Sequence, residues 1–166
     1  MDVREKYEKL TKLFISKKMS ITTMESCTSG LIASLLTDTE GASAIMKGAY
    51  ITYSNEAKVK AGVPEEVIKK YGVYSVETAA EMAKKCKDSF VADIGIGVTG
   101  SFGNVDPNNA DSVPGEIHFA IAFESEVVTA SKSIPVQPSR YEYKLYAADL
   151  VADKLLSILK EKGITN

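Results

Sequence analysis

The stretch from Gly41 to Lys58 holds a serine, a tyrosine and a lysine, Ser43, Tyr53 and Lys58, separated by steps short enough for a shared site. A serine hydroxyl becomes a useful nucleophile only when a neighbouring group takes its proton. A lysine kept neutral by its surroundings does this as well as a histidine. The apolar run Ala49, Tyr50, Ile51 reads as a short strand, which puts Tyr53 and Lys58 at and just beyond its end. Loops at strand ends are where α/β proteins usually keep their sites.

A second candidate lies upstream. Glu25-Ser26-Cys27-Thr28-Ser29-Gly30 stands between a β-rich run at 21–24 and the apolar helical pattern Leu31, Ile32, Ala33, Leu35, Leu36. A turn of small residues from strand to helix aims backbone N–H groups at whatever sits over it, an arrangement that suits a phosphate or an oxyanion. Ser and Thr are also ordinary N-caps, so spacing alone leaves the capping reading open.

The elements that must position these residues follow from periodicity. Val3, Tyr7, Leu10, Phe14 and Ile15 make 2–17 an amphipathic helix. A strand is expected near 48–54, a short helix over 56–61, another after Pro64 to about Tyr71, and a longer one from the Ser75 cap to about Ser89. Val91 to Val98 reads as a strand in which Gly95 and Gly97 let another backbone approach on one face. Those glycines lie inside the strand and no third glycine opens a helix, so the pair is not a dinucleotide fingerprint. A long polar loop through Asn104 and Asn109 to Gly115 precedes a hairpin of 116–123 and 127–134 that turns near Ser125. Tyr143 to Leu159 then gives a C-terminal helix. Helices interleaved with strands, one hairpin among them, predict a three-layer α/β/α sandwich on a mixed sheet, folded as a single domain over 1–166.

Composition narrows the function classes. The chain has 166 residues, 45% hydrophobic and 25% charged, with a net charge of −2. Its lysines are scattered, which gives no electrostatic footprint for nucleic acid or an anionic membrane, and a small molecule is the expected partner. No apolar run reaches the roughly 18 residues of a membrane span, and the charged start Met-Asp-Val-Arg-Glu-Lys is unlike a signal peptide, so the expected location is the cytoplasm. Cys27 and Cys86 have no metal-type spacing and are expected to be reduced thiols, and no metal site is expected. Pairing Cys27 with the single histidine, His118, is a conceivable thiol alternative to the serine.

Taken in order, Thr23-Met-Glu-Ser-Cys-Thr-Ser-Gly-Leu31, Gly41-Ala-Ser43-Ala, Tyr53-Ser-Asn-Glu-Ala-Lys58, Gly72-Val-Tyr-Ser75, Met82-Ala83 and Val98-Thr99-Gly100 resemble the successive motifs of the CinA C-terminal domain family. The resemblance runs over most of the chain. It implies an amidohydrolase that converts nicotinamide mononucleotide and water to nicotinate mononucleotide and ammonia, using a serine and a lysine with no metal and no cofactor. A homodimer is also suggested, as is absence of the larger N-terminal domain of longer CinA proteins. Carried over by position, the nucleophile falls on Ser43 and the general base on Lys58, with Tyr53 orienting the transfer. Ser26, Thr28, Thr99 and Gly100 then belong to the substrate pocket, and Arg140 matches an arginine for the substrate's phosphate.

The chain also departs from the family pattern. Where a Gly-Ile-Ala-Gly-Pro-Gly-Gly loop is typical, it has Gly100-Ser-Phe-Gly-Asn-Val-Asp106, and Ser29 replaces a glycine. Phe102 and Asp106 are expected to reshape the pocket and make it more negative. Two other functions therefore stand beside the deamidase: a non-catalytic domain that binds a nucleotide or a protein, and an amidase for a different small amide.

Overall fold

The computed structural model describes residues 1–166. Five strands, β1 (Ile21–Glu25), β2 (Tyr50–Ile51), β3 (Ile94–Gly100), β4 (Glu116–Phe123) and β5 (Glu126–Ser133), form one sheet in the order β2-β1-β3-β4-β5. β1 is parallel to β2 and to β3, while β4 and β5 add antiparallel, so the sheet is mixed as expected. The helices are α1 (Val3–Lys17), α2 (Leu31–Thr37), α3 (Asn55–Lys60), α4 (Glu65–Tyr71), α5 (Val76–Phe90) and α6 (Arg140–Glu161).

Alternation along the strands divides the core into two layers. Ile94, Ile96, Val98, Ile117, Phe119 and Ile121 face α1, α2 and α6, where Tyr7, Phe14, Ile32, Leu36, Val151 and Leu155 complete the larger cluster. On the opposite face Ala120 and Ala122 meet Ala79 and Ala83 of α5. Gly95 and Gly97 set that second distance: a Cβ on either would lie 2.2 Å from a backbone oxygen of α5, Ala83 O or Ala79 O respectively. The two glycines bring α5 down onto the centre of the sheet.

The caps are those the sequence signals. Ser75 accepts from Thr78 N at the start of α5, and Asp2 with Glu5 forms a capping box on α1. Two expectations change. The strand near 48–54 shrinks to Tyr50–Ile51, because it is an edge strand with one neighbour and only two residues in register with β1. β3 begins at Ile94 because Val91 closes α5 in the left-handed conformation, φ 50°.

Chain direction explains where a site can form. From β1 the chain passes through α2 to β2 on one side, then through α3, α4 and α5 to β3 on the other. Neighbouring parallel strands whose connections leave in opposite directions open a crevice at their C-terminal ends.

Candidate active site

Ser26 is the first residue after β1 and sits at the mouth of that crevice. Its N–H donates to Val98 O of β3 at 3.0 Å, which fixes the backbone. Lys58 projects from α3 into the same place. Its side chain is 2% exposed, and Nζ donates to Ser26 Oγ at 3.0 Å and to Thr52 O at 2.8 Å. No carboxylate forms an ion pair with it. Burial therefore dominates and pushes the ammonium down to about 8, against a smaller opposing pull from Cys27 and Asp106.

A cleft of about 800 Å³ opens over this pair. Ser26, Cys27 and Lys58 form part of its wall, with Tyr53, Tyr74, Gly100, Phe102, Asp106 and Arg140 among the other lining residues. Arg140, the first residue of α6, donates through Nη2 to Tyr53 Oη at 3.1 Å and through Nη1 to Asn104 Oδ1 at 3.2 Å. Its guanidinium lies 5.7 Å from the ring centre of Phe102, and Phe102 stacks on Tyr143 with centroids 5.3 Å apart. Phe102 is 1% exposed, and the residue expected to reshape the pocket packs beneath Arg140 and supports it.

Asp106 reaches the cleft from the polar loop. Its carboxylate accepts from Tyr74 Oη, Asn109 Nδ2 and Asn108 N, and Asn109 in turn accepts from Asn55 Nδ2 at the start of α3. Those hydrogen bonds outweigh its desolvation, the largest single effect, and hold the carboxyl below its usual range. The long polar loop is thus pinned to the helix that carries Lys58.

Glu25 was not singled out in the sequence. It is fully buried and accepts four hydrogen bonds, from Thr23 Oγ1, Thr28 Oγ1, Ile32 N and Ala33 N, all between 2.7 and 2.9 Å. Gly30 gives α2 no side-chain cap, so the carboxylate at the end of β1 satisfies the helix's first free amides instead. The signal was legible: an acid at the end of a strand, followed by a small-residue turn and an uncapped helix. Ser29, standing where a glycine is typical, holds the left-handed conformation, φ 53°.

The expected site residues fall into three groups. Ser26, Tyr53, Lys58, Gly100 and Arg140 converge on the cleft. Thr28 and Thr99 are buried behind it, bonded to Glu25 and to Val73 O, and hold its walls rather than line it. Ser43 lies elsewhere. It is exposed on a 3-10 turn (Ala42–Ala44), and Ile45 O, two residues on, accepts from Ile21 N at the start of β1. Ser26 follows the other end of that strand, so the two serines are separated by about a strand length, roughly 16 Å. The structure thus sets Ser26, and not Ser43, against Lys58. The thiol alternative has no geometry: His118 bonds Ser131 on the α5 face of β4, and burial raises Cys27 to about 12. No group of three or more His, Cys, Asp or Glu side chains converges as a metal site, and no helix is long and apolar enough to cross a membrane.

The sequence profile of the CinA C-terminal domain matches residues 4–159. The chain belongs to the CinA C-terminal domain family. It is 35% identical over 158 residues to a putative competence-damage inducible protein of Clostridium novyi, covering 95% of this chain and 37% of that protein. A CinA-like protein of Chlorobium chlorochromatii is 31% identical over 156 residues, with 93% and 37% covered. The chain thus spans little more than a third of the length of these curated relatives. Among solved structures, the competence/damage inducible protein CihA of Agrobacterium tumefaciens superposes with a TM-score of 0.85 at 28% identity, covering 95% of each chain. A competence or damage-inducible protein of Enterobacter asburiae gives 0.87 at 25% identity, covering 96% of this chain and 99% of the other. The CinA-family α/β fold is therefore common to chains of nearly this length.

Proposed function

We propose that this CinA domain is an amidohydrolase that deamidates nicotinamide mononucleotide, with Ser26 as nucleophile and Lys58 as general base. The observation that carries the reading is the buried lysine without a carboxylate partner, hydrogen-bonded to a serine at the mouth of the cleft. An ammonium whose ionisation is brought down to about 8 is partly neutral at physiological pH and able to accept the Ser26 proton.

In the first half-reaction Ser26 Oγ bonds to the carboxamide carbon while its proton passes to Lys58 Nζ. The C–N bond then breaks, Lys58 returns the proton to the departing nitrogen, and ammonia leaves behind an acyl ester on Ser26. In the second half Lys58 takes a proton from water as the oxygen bonds to the ester carbon, the C–O bond to Ser26 breaks, Lys58 returns the proton to Ser26 Oγ, and nicotinate mononucleotide is released as its carboxylate with one proton to solvent. The amides of Cys27 and Thr28 make no bond to a backbone carbonyl and follow the nucleophile directly, which suits them to the tetrahedral oxyanion. That assignment leaves the phosphate to Arg140, whose guanidinium is presented across the cleft by Tyr53, Asn104 and Phe102.

Ammonia release from nicotinamide mononucleotide tests the assignment in the parent protein and in Ser26→Ala, Lys58→Met and Ser43→Ala. The first two are expected to lose activity by about a thousandfold or more, and Ser43→Ala to keep it. Full activity in Ser26→Ala, or loss confined to Ser43→Ala, overturns the mechanism. Binding of the nucleotide with no turnover in the parent protein makes the domain a binding module.

A further inference from the structure

Glu56, Lys58, Asp106 and Arg140 are the charged residues that line the cleft. Glu56 is exposed, whereas Asp106 is half-buried in a loop tied at Asn104 to Arg140 and, through Asn109, to Asn55 at the start of α3. Asp106 is hydrogen-bonded and yet not neutralised. Its donors, Tyr74 Oη, Asn109 Nδ2 and Asn108 N, are all uncharged, and no lysine or arginine forms an ion pair with it. They fix the carboxylate in place and help to keep it ionised.

The cation that feels this carboxylate is Lys58, and each of the two acts on the other's ionisation through space. Lys58 has to give up its charge to act as a base. In that form the reacting part of the cleft holds a fixed negative charge with no cation to balance it. A substrate whose positive charge sits in the same ring as its carboxamide restores the balance when it binds. Arg140, the other cation of the cleft, is left to an anionic group elsewhere on the same molecule.

We propose that Asp106 selects substrates by ring charge, favouring a carboxamide carried on a cationic pyridinium over the same carboxamide on a neutral ring. This selection rests on the Ser26–Lys58 cleft being the site of the mononucleotide, and it gives a task to a residue of the loop in which the chain departs from the family pattern.

Nicotinamide mononucleotide and its dihydro form share carboxamide, ribose and phosphate and differ in the charge of the ring. Calorimetric titration of each into the full chain carrying Ser26→Ala, which is expected to consume neither, measures the preference, with circular dichroism as the check on folding. The cationic form is expected to bind more tightly. Adding Asp106→Asn is expected to weaken the cationic form by roughly tenfold and to leave the dihydro form within about twofold. Asp106→Glu keeps the charge, and Tyr74→Phe removes one donor while keeping the charge, so both are expected to retain most of the preference. Equal binding of the two forms, a preference that survives Asp106→Asn, or one lost equally in Tyr74→Phe overturns the selection by Asp106; the last assigns it to the shape of the loop. Ammonia release by the parent separates this from the reaction: no turnover beside an intact, Asp106-dependent preference removes the deamidase and keeps the charge selection, whereas binding of neither form removes both.

Discussion

Lys58 Nζ and Ser26 Oγ lie 3.0 Å apart, and the second acceptor of the ammonium is the neutral carbonyl of Thr52 at 2.8 Å. A buried cation bonded to two neutral oxygens is poorly compensated, and the preference for the neutral amine follows from that. If Lys58 is the base, activity rises as pH is raised through about 8 and levels off above it. A rate profile with no rise in that region removes Lys58 from the base role.

The same burial has a consequence for stability. The folded-state ionisation of Lys58 lies near 8 and the unfolded one near 10.5, so the folded chain pays for a buried charge below pH 8. Between pH 8 and 10.5 the unfolded state binds more protons, and the contribution of this group to stability rises with pH across that window. The full effect is of order 3 kcal/mol. Lys58→Met, which keeps the stem and removes the charge, is expected to be inactive and yet more stable at pH 7 by about 1–2 kcal/mol, the loss of the Thr52 hydrogen bond offsetting part of the gain. Urea denaturation at pH 7 checks this, and a destabilised Lys58→Met means the charge is better compensated than its contacts indicate.

Glu25 behaves in the opposite sense. Four donors converge on its two oxygens, two of them the first free amides of α2. Glu25→Ala strands all four and is expected to cost about 3–5 kcal/mol. Glu25→Gln keeps the shape but turns one acceptor oxygen into a donor facing donors, and about 2 kcal/mol is expected. Thermal or urea melts of both variants test the order; equal stability of Glu25→Gln and the parent means that a threonine hydroxyl, Thr23 or Thr28, turns to accept from the new amide.

Sequence patterns reach some of these features and not others. The α5 approach was legible because Gly95 and Gly97 alternate with Ile94, Ile96 and Val98, a local pattern with one steric meaning. Ser26 was legible as a pocket residue but not as the partner of Lys58. The 32-residue separation is bridged only by the register of β1 with β2, which carries the chain from Glu25 to Thr52 and into α3. Ser43 was named by position in the family resemblance, whereas the 3-10 turn returns it to the other end of β1. The contacts of Asp106 were only partly legible, since Asn109 lies three residues on in the same loop, whereas Tyr74 and, through Asn109, Asn55 come from other parts of the chain. Phe102 could be flagged from sequence as an unusual loop residue, yet its side chain turns toward Tyr143, a contact that depends on where α6 packs.

Variants of Arg140 can tell binding from chemistry. It lines the cleft and is held by Tyr53, Asn104 and the Phe102 ring. If it grips the phosphate, Arg140→Ala raises KM for the mononucleotide by about 10–100-fold with a much smaller change in kcat. Its effect on an amide lacking the phosphate is expected to be small. Steady-state kinetics with nicotinamide mononucleotide and the nicotinamide riboside decide it: equal losses on both substrates assign Arg140 to positioning Tyr53 rather than to the phosphate.

Asp106 acts on Lys58 through space. Its ionised carboxylate raises the ammonium's ionisation, the smaller effect opposing desolvation, and Lys58 in return helps hold Asp106 ionised. Asn at 106 removes that charge while keeping a side chain able to accept from Tyr74 or Asn109. Lys58 then loses its proton at lower pH, so in Asp106→Asn the rising limb of the rate profile moves to the acid side of the parent's, and activity near pH 7 increases relative to the plateau. A mononucleotide substrate adds a second effect of opposite sign. The pyridinium ring is cationic, and a cleft with one carboxylate fewer attracts it less, so KM rises while the limb moves. Measuring kcat and KM separately across pH resolves the two. An unmoved limb in a folded Asp106→Asn protein means that the charge is screened by the hydrogen bonds around it and leaves the carboxylate with the task of pinning the loop to Tyr74 and, through Asn109, to α3.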